Sequence, residues 1–282
     1  MPVAKLRTIG IRKVYPGTVA LNDVSIAFDP GKVHALLGKN GAGKTTLIKI
    51  LAGAIQPTAG SLEIDGQPVR FGSPQDAFRK GIATVYQELS LFPELTVAEN
   101  ILLGRLPHRS GGLGLGRCAI DWRRVYERAA AVLAELGVEL DVRKKVRHLG
   151  VAQQQLVEIA RAMSYGPSVL MLDEPTSALS HHETAALFRL IRTLAGRGVV
   201  VIYISHRLQE LSAIVDRLSV LRDGDLIGTL SMPDATPQRI ASMMFGRALP
   251  EGCPPDVTAG TATVMDVRGL ARRGALKTSA SR

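Results

Sequence analysis

Apolar residues follow two rhythms along this chain, and the change between them divides it. From residue 5 to 28 they alternate with polar ones, as in strands of an antiparallel sheet, with Gly17 as a turn residue. Val33 to Leu37 is a strand-like apolar run, and beyond a glycine-rich break Leu47, Ile48 and Leu51 recur at helical spacing. Gly60 to Phe71 predicts a short hairpin turning at Asp65-Gly66. Pro74 opens a helix, and Ile82 to Tyr86 is a buried strand ending at Gln87. From about 88 to 163 the spacing is helical, with helices over Val97 to Leu103, Trp122 to Leu136 and Gln153 to Met163. Strand and helix then alternate again: Val169 to Leu172, a helix from about His182 to Leu194, and Val199 to Ile204. The pattern predicts an α/β fold with a mostly parallel sheet, an N-terminal antiparallel β subdomain and an inserted α-helical subdomain over 88–163.

The break after Leu37 carries the first chemistry. Gly38 to Thr45 fits G-x-x-x-x-G-K-[ST] between a strand and a helix, which is the setting a phosphate-binding loop requires. Gly41 and Gly43 let backbone N–H groups turn toward one anion, and the helix behind adds its positive dipole end. Lys44 reaches for β- and γ-phosphates and the Thr45 hydroxyl for Mg²⁺. The loop as a whole, from Gly38 through Lys39, Asn40, Gly41, Ala42, Gly43, Lys44 and Thr45 to Thr46, is expected to hold ATP.

In an open parallel sheet, ligands sit beyond the carboxyl ends of the strands. The loop, Gln87, Asp173-Glu174 and His206 all follow such ends. Asp173 is expected to hold Mg²⁺, and Glu174 to orient or deprotonate a water in line with the γ-phosphate. Gln87 meets both the metal and the water, and His206 bonds the γ-phosphate. Tyr15, ahead of the loop, either stacks on a purine or is a half-buried strand aromatic. His181 and His182 are expected at the surface without a ligand. The second glycine-rich stretch, Arg109 to Arg117, lacks a lysine-threonine ending and is expected to be a mobile loop.

Composition narrows this picture only a little. No apolar run approaches the roughly 18 residues that span a bilayer. The cysteines, Cys118 and Cys253, are distant and form no disulfide framework, which suggests a reducing, cytosolic setting. A formal charge of +10 suits a polyanion or an anionic membrane face, and equally suits solubility. With 4% aromatics and none interleaved with basic runs, no nucleic-acid partner is expected. The run Arg143 to Arg147 is expected to be a solvated helix end.

Five stretches, in order, resemble the nucleotide-binding subunit of an ABC transporter: G-K-N-G-A-G-K-T-T, V-Y-Q-E-L, L-G-V-A-Q-Q-Q-L-V-E-I-A-R-A, L-M-L-D-E-P-T-S-A-L and Y-I-S-H-R-L-Q-E-L. The wording after Gln87 and His206 is most similar to bacterial sugar-importer ATPases, over about residues 5 to 248. The resemblance implies a P-loop NTPase core in a nucleotide-binding domain over 1–248, hydrolysing ATP with Mg²⁺. It also implies two such domains sandwiching two ATP molecules, by self-association or with another subunit. The implied partners are membrane permease subunits and, indirectly, a solute-binding protein, with the chain peripheral on the cytoplasmic face of the membrane. Tyr15 falls on the adenine-stacking position of that family. Leu149, Gly150, Val151, Ala152 and Gln153 fall on the signature that contacts ATP across the dimer. Where the family commonly has Leu-Ser-Gly-Gly-Gln, Gly150 lacks a hydroxyl and Ala152 adds a methyl. Ser180 stands where many members have aspartate. Two rival readings are a nucleotide-binding module with little hydrolysis and a soluble non-transport ABC ATPase.

Residues 249–282 are expected to be a linker and the start of a truncated second domain. Val264 to Leu270 resembles an opening strand, and Ala275 to Lys277 matches Ala20 to Asn22. One lost base in codons for Asp-Val-Ser would yield Thr278, Ser279 and Ala280, so a frameshift is expected there.

Overall fold

In a computed structural model of the chain, residues 5–87, 89–108, 119–177, 179–205 and 208–246 are described. They fall in one compact unit, Met1–Ala248, while the other unit, Leu249–Arg282, lies outside the described residues. So do His206, the 109–117 glycine-rich stretch, both cysteines and the expected second repeat.

The N-terminal alternation folds as expected. Strand β1 (Leu6–Tyr15) turns at Pro16-Gly17 into β2 (Thr18–Val24), pairing Tyr15 with Thr18. The short β3 (Ala27–Phe28) also pairs β1. Next come β4 (Val33–Leu37), helix α1 (Lys44–Leu51), and the hairpin of β5 (Ala59–Ile64) and β6 (Gln67–Val69). Its turn residues Asp65 and Gly66 both have positive φ, 50° and 74°, the conformation that matches the strand twist in a two-residue hairpin. With β5 beside β1, these strands make an antiparallel sheet in the order β2-β1-β5-β6. Helix α2 (Pro74–Arg79) leads to β7 (Ile82–Val85).

Between β7 and the next strand lie α3 (Val97–Ile101), α4 (Trp122–Glu135) and α5 (Val151–Met163). The α/β alternation resumes with β8 (Val169–Asp173), α6 (His181–Gly196), β9 (Val200–Ile204) and α7 (Leu208–Ile214). The sequence pattern assigned nothing to α7, nor to the three elements that complete the unit: β10 (Arg217–Arg222), β11 (Asp225–Ser231) and α8 (Pro237–Phe245). The second sheet runs β11-β10-β4-β9-β8-β7, parallel throughout except for the β10–β11 pair.

Both faces of that sheet are covered, which is why its central strands carry unbroken apolar runs. Leu170, Leu172, Val201 and Tyr203 face a core shared with α3 to α8, whereas Val169, Met171, Val200 and Ile202 face α1 and the antiparallel sheet. Each such buried leucine or valine contributes about 1.5–3 kcal/mol relative to exposure.

One expectation fails. The 143–147 run is no helix end: Lys145 forms a bridge with Thr96, a 3₁₀ turn spans Val146–His148, and Val146 is fully buried in the core. Lys145 and Arg147 instead reach Glu94, at 3.4 and 2.9 Å. The basic residues flank one apolar residue that anchors the segment.

Candidate functional site

The register of the parallel strands brings the predicted residues to one level. Ile204, the last residue of β9, pairs with Leu36 of β4 on one side and Asp173 of β8 on the other, and Leu172 pairs with Val85 of β7. The loops leaving four adjacent strands therefore emerge side by side. There they line a cavity of about 390 Å³, whose walls include Asn40 to Thr46, Gln87, Asp173 and Glu174, with Thr18 to Ala20 from the hairpin.

The loop from Gly38 to Gly43 is held by its own backbone. Gly43 heads α1 with φ of 98°, and a Cβ there would lie 2.6 Å from the Ala20 carbonyl oxygen and 2.7 Å from Leu21 Cδ2. The Lys44 ammonium donates to the carbonyls of Gly38 and Lys39 at 2.7 and 2.9 Å, which folds it back along the loop. Lys39, exposed on the loop, sits 4.2 Å from the centre of the Phe245 ring at the end of α8.

In the cavity one half-buried ammonium faces two carboxylates. Burial holds the Lys44 ammonium below its ordinary pKa, while the Glu174 and Asp173 carboxylates pull it back up. Burial pushes the Asp173 carboxyl up, the neighbouring Glu174 charge pushes it further, and Lys44 opposes both. A cation or a bound anion–cation pair would relieve this arrangement.

Glu174 shows a feature that sequence reasoning missed. Its φ is +47°, a left-handed conformation costing a side-chain residue about 1–2 kcal/mol. Its N–H donates to the Ile204 carbonyl at 3.0 Å and its carbonyl accepts from Ser177 N–H at 3.2 Å, so the turn is held from both sides. The Pro175 that follows was the only signal in the sequence of an unusual turn, and it does not specify the sign of φ.

A comparison of helix starts isolates two of them. Ser73, Thr96, Asp121, Ser180 and Thr236 each cap a helix by accepting from a backbone N–H of its first turn. Helices α1 and α5 begin at Gly43 and Gly150 with no side-chain cap. Their first N–H groups are left for an outside acceptor, apart from the Gly150 N–H, which donates to Gln153 Oε1 at 3.3 Å. Leu149 is buried, Val151 is half exposed, and Ala152 and Gln153 line a small apolar pocket against the start of α6. Ser180, where aspartate is common in the family, makes a reciprocal cap with Glu183.

The remaining predictions divide. Tyr15 is 39% exposed at the end of β1, with the Lys13 ammonium 5.2 Å from its ring centre, and it borders the cavity through its partner Thr18 without lining it. His181 and His182 are exposed, and no group of three or more His, Cys, Asp or Glu able to hold a metal occurs among the described residues. No helix among the described residues is long and apolar enough to cross a membrane.

The chain is 48% identical over 277 residues to the ribose import ATP-binding protein RbsA 1 of Rubrobacter xylanophilus, covering 98% of this chain and 53% of that protein. It is 47% identical over 242 residues to the putative ribose/galactose/methyl galactoside import ATP-binding protein 3 of Agrobacterium fabrum, covering 86% of this chain and 47% of that one. The chain thus spans about half the length of the curated relatives it matches. Among solved structures, a nucleotide-free ATP-binding cassette from an ABC transporter superposes with a TM-score of 0.74 at 25% identity, over 86% of this chain and all of that one. The ABC transporter family profile matches residues 21–177, more than half of the sequence, and the chain accordingly belongs to the ABC transporter family.

Proposed function

We propose that this chain binds and hydrolyses ATP to energise an importer of a sugar or similar small solute. The observation that carries the reading is the convergence of Lys44, Gln87, Asp173 and Glu174 on one cavity at the ends of adjacent parallel strands. The names of the relatives, ribose and ribose/galactose/methyl galactoside import ATP-binding proteins, supply the solute class.

In this reading the loop N–H groups and Lys44 cradle the phosphates, and Tyr15 lies against the adenine. Thr45, Gln87 and Asp173 would hold Mg²⁺; their hydroxyl, amide and carboxylate oxygens fit a hard cation that keeps waters and shares phosphate ligands. When bound, the ion neutralises charge on the phosphate oxygens. Glu174 accepts the proton of the attacking water. His206 contacts the γ-phosphate; that role rests on the sequence. Gly150 and the first turn of α5 face the nucleotide of a second ATP-binding domain. The chain lies peripherally on the cytoplasmic face of the membrane; its other partners are membrane permease subunits and, indirectly through them, a solute-binding protein.

The test is nucleotide binding and turnover by the purified chain. Glu174→Gln should retain MgATP and lower turnover by about 10²–10⁴, the range for loss of a general base. Lys44→Ala should weaken MgATP binding itself. Parental turnover in the glutamine variant would remove Glu174 from the role of base.

A further inference from the structure

Helices α5 and α6 leave a gap where they begin. Ala152, Gln155 and Leu156 share one face of α5, and Glu183, Ala186 and Leu187 one face of α6, each set spaced by three and four residues. Between them lies a pocket of about 150 Å³, with Leu179 also in its wall. The alanines at 152 and 186 leave this space open, since a longer side chain at either place would enter it. No residue lines both this pocket and the cavity at the strand ends.

One polar group in the pocket has nothing to bond. Gln155 is 7% exposed, and its amide nitrogen is buried with no hydrogen-bond partner among the described residues. The neighbouring acceptors are engaged elsewhere. Gln153 Oε1 accepts from the Gly150 N–H at 3.3 Å, and Glu183 Oε2 accepts from the Ser180 N–H and hydroxyl at 2.8 and 2.7 Å. Native structures seldom leave a buried amide donor in this state. Water is a poor remedy, because a buried water needs two to four polar partners and the apolar walls do not supply them. A charged ligand fits no better, since leucine and alanine walls cannot replace its hydration. An apolar cavity of this volume takes a molecule about the size of benzene. A ring of that size with one acceptor would both fill the space and satisfy Gln155 Nε2.

We infer that the pocket between the starts of α5 and α6 binds a compact, neutral, chiefly apolar molecule of about six to eight non-hydrogen atoms, with one hydrogen-bond acceptor turned to Gln155. A small cyclic ketone or lactone has this chemistry. The site goes beyond the ATP reading and does not depend on it, because Lys44, Asp173 and Glu174 take no part.

Two probes and two variants of the full chain test it. Cyclopentanone supplies a ring with an acceptor, and benzene a similar size without a comparable one. Followed by ligand-observed proton NMR, both should bind the parent saturably at millimolar concentration. Gln155→Leu removes the donor and keeps the bulk. It should weaken cyclopentanone about three- to tenfold, the effect of one neutral hydrogen bond, and leave benzene equal or tighter. Ala186→Leu fills the pocket from α6 and should abolish binding of both. Leucine favours a helix and adds no polar group to the core, so both variants should fold. Failure of both probes to bind the parent, unchanged cyclopentanone affinity in Gln155→Leu, or binding that survives Ala186→Leu overturns the site. Self-association of the parent that Ala186→Leu abolishes, with neither probe bound, would assign the pocket to an interface between copies and equally overturn it.

Discussion

Helices α1 and α5 both start at an uncapped glycine, yet the two glycines are held by different physics. Gly43 adopts a left-handed φ against the Ala20 carbonyl and Leu21, so neither the backbone nor the space admits a side chain. Gly150 has φ of −67° and ψ of 161°, ordinary for any residue, and a Cβ there meets nothing within 4 Å. The loop ahead of α1 is therefore determined by packing inside this chain. The start of α5 is left open, and whatever constrains it comes from outside. A departure from a family motif carries different weight at these two places: at Gly43 it would break the fold, whereas at Gly150 it changes only what the helix offers a neighbour.

The contrast is most easily broken at Gly43. Gly43→Ala should cost about 2–5 kcal/mol, from overpacking and the left-handed backbone together, and abolish MgATP binding. Denaturant unfolding measures the first and nucleotide titration the second; a stable, nucleotide-binding alanine variant would erase the distinction.

The footing of the loop supplies the next test. His34 on β4 is buried, 2.8 Å from Ser219 Oγ and edge-on to Phe28, and burial pushes its pKa down to about 4 from 6.5. The folded state thus resists a proton that the unfolded chain accepts from pH 6.5 downward. Stability is full above that pH, falls as pH drops toward 4, and levels off below it. The loss should be about 2 kcal/mol between pH 7 and 5 and about 3 in all, read by urea unfolding. His34→Leu should flatten that slope; a slope unchanged by the substitution would place its origin elsewhere.

The smallest effect on the fold belongs to α5. Gly150→Ser should alter stability by only a few tenths of a kcal/mol, and Ala152→Gly should cost up to about 1 kcal/mol in helix propensity. Together they should raise turnover tenfold to a hundredfold, about what one charge-assisted hydrogen bond made only in the transition state would give. Equal or lower turnover would show that this chain works with Leu149-Gly150-Val151-Ala152-Gln153 as it stands.

The parts of the molecule that could be read in advance are those where one local property decides the structure. Val169 to Leu172 and Val199 to Ile204 announce themselves because strands covered on both faces must be apolar at every position. The loop is legible because glycine spacing and a lysine define its geometry. Strands β10 and β11 escaped notice because Arg217, Ser219 and Arg222, and then Gly228 and Thr229, interrupt their apolar residues. Their place in the sheet comes from pairing with β4, far away in sequence. Val146 was hidden by its four basic neighbours. The Ser90–Glu158 hydrogen bond joins residues 68 positions apart, a separation over which spacing carries no information. The left-handed backbone of Glu174 is set by Ile204, another distant residue.

The strand order has a consequence for how the chain is made. Strand β4, with the Gly38–Gly43 loop at its end, precedes most of the sheet in the sequence, but its sheet neighbours are β9 and β10. At about 5–20 residues per second, roughly 8–30 s separate the appearance of Leu37 from that of Val200. Throughout that interval this buried strand has both edges unpaired while α1 and the antiparallel sheet can already cover one face. Nascent chains paused between residues 60 and 200 would be the ones most in need of a chaperone.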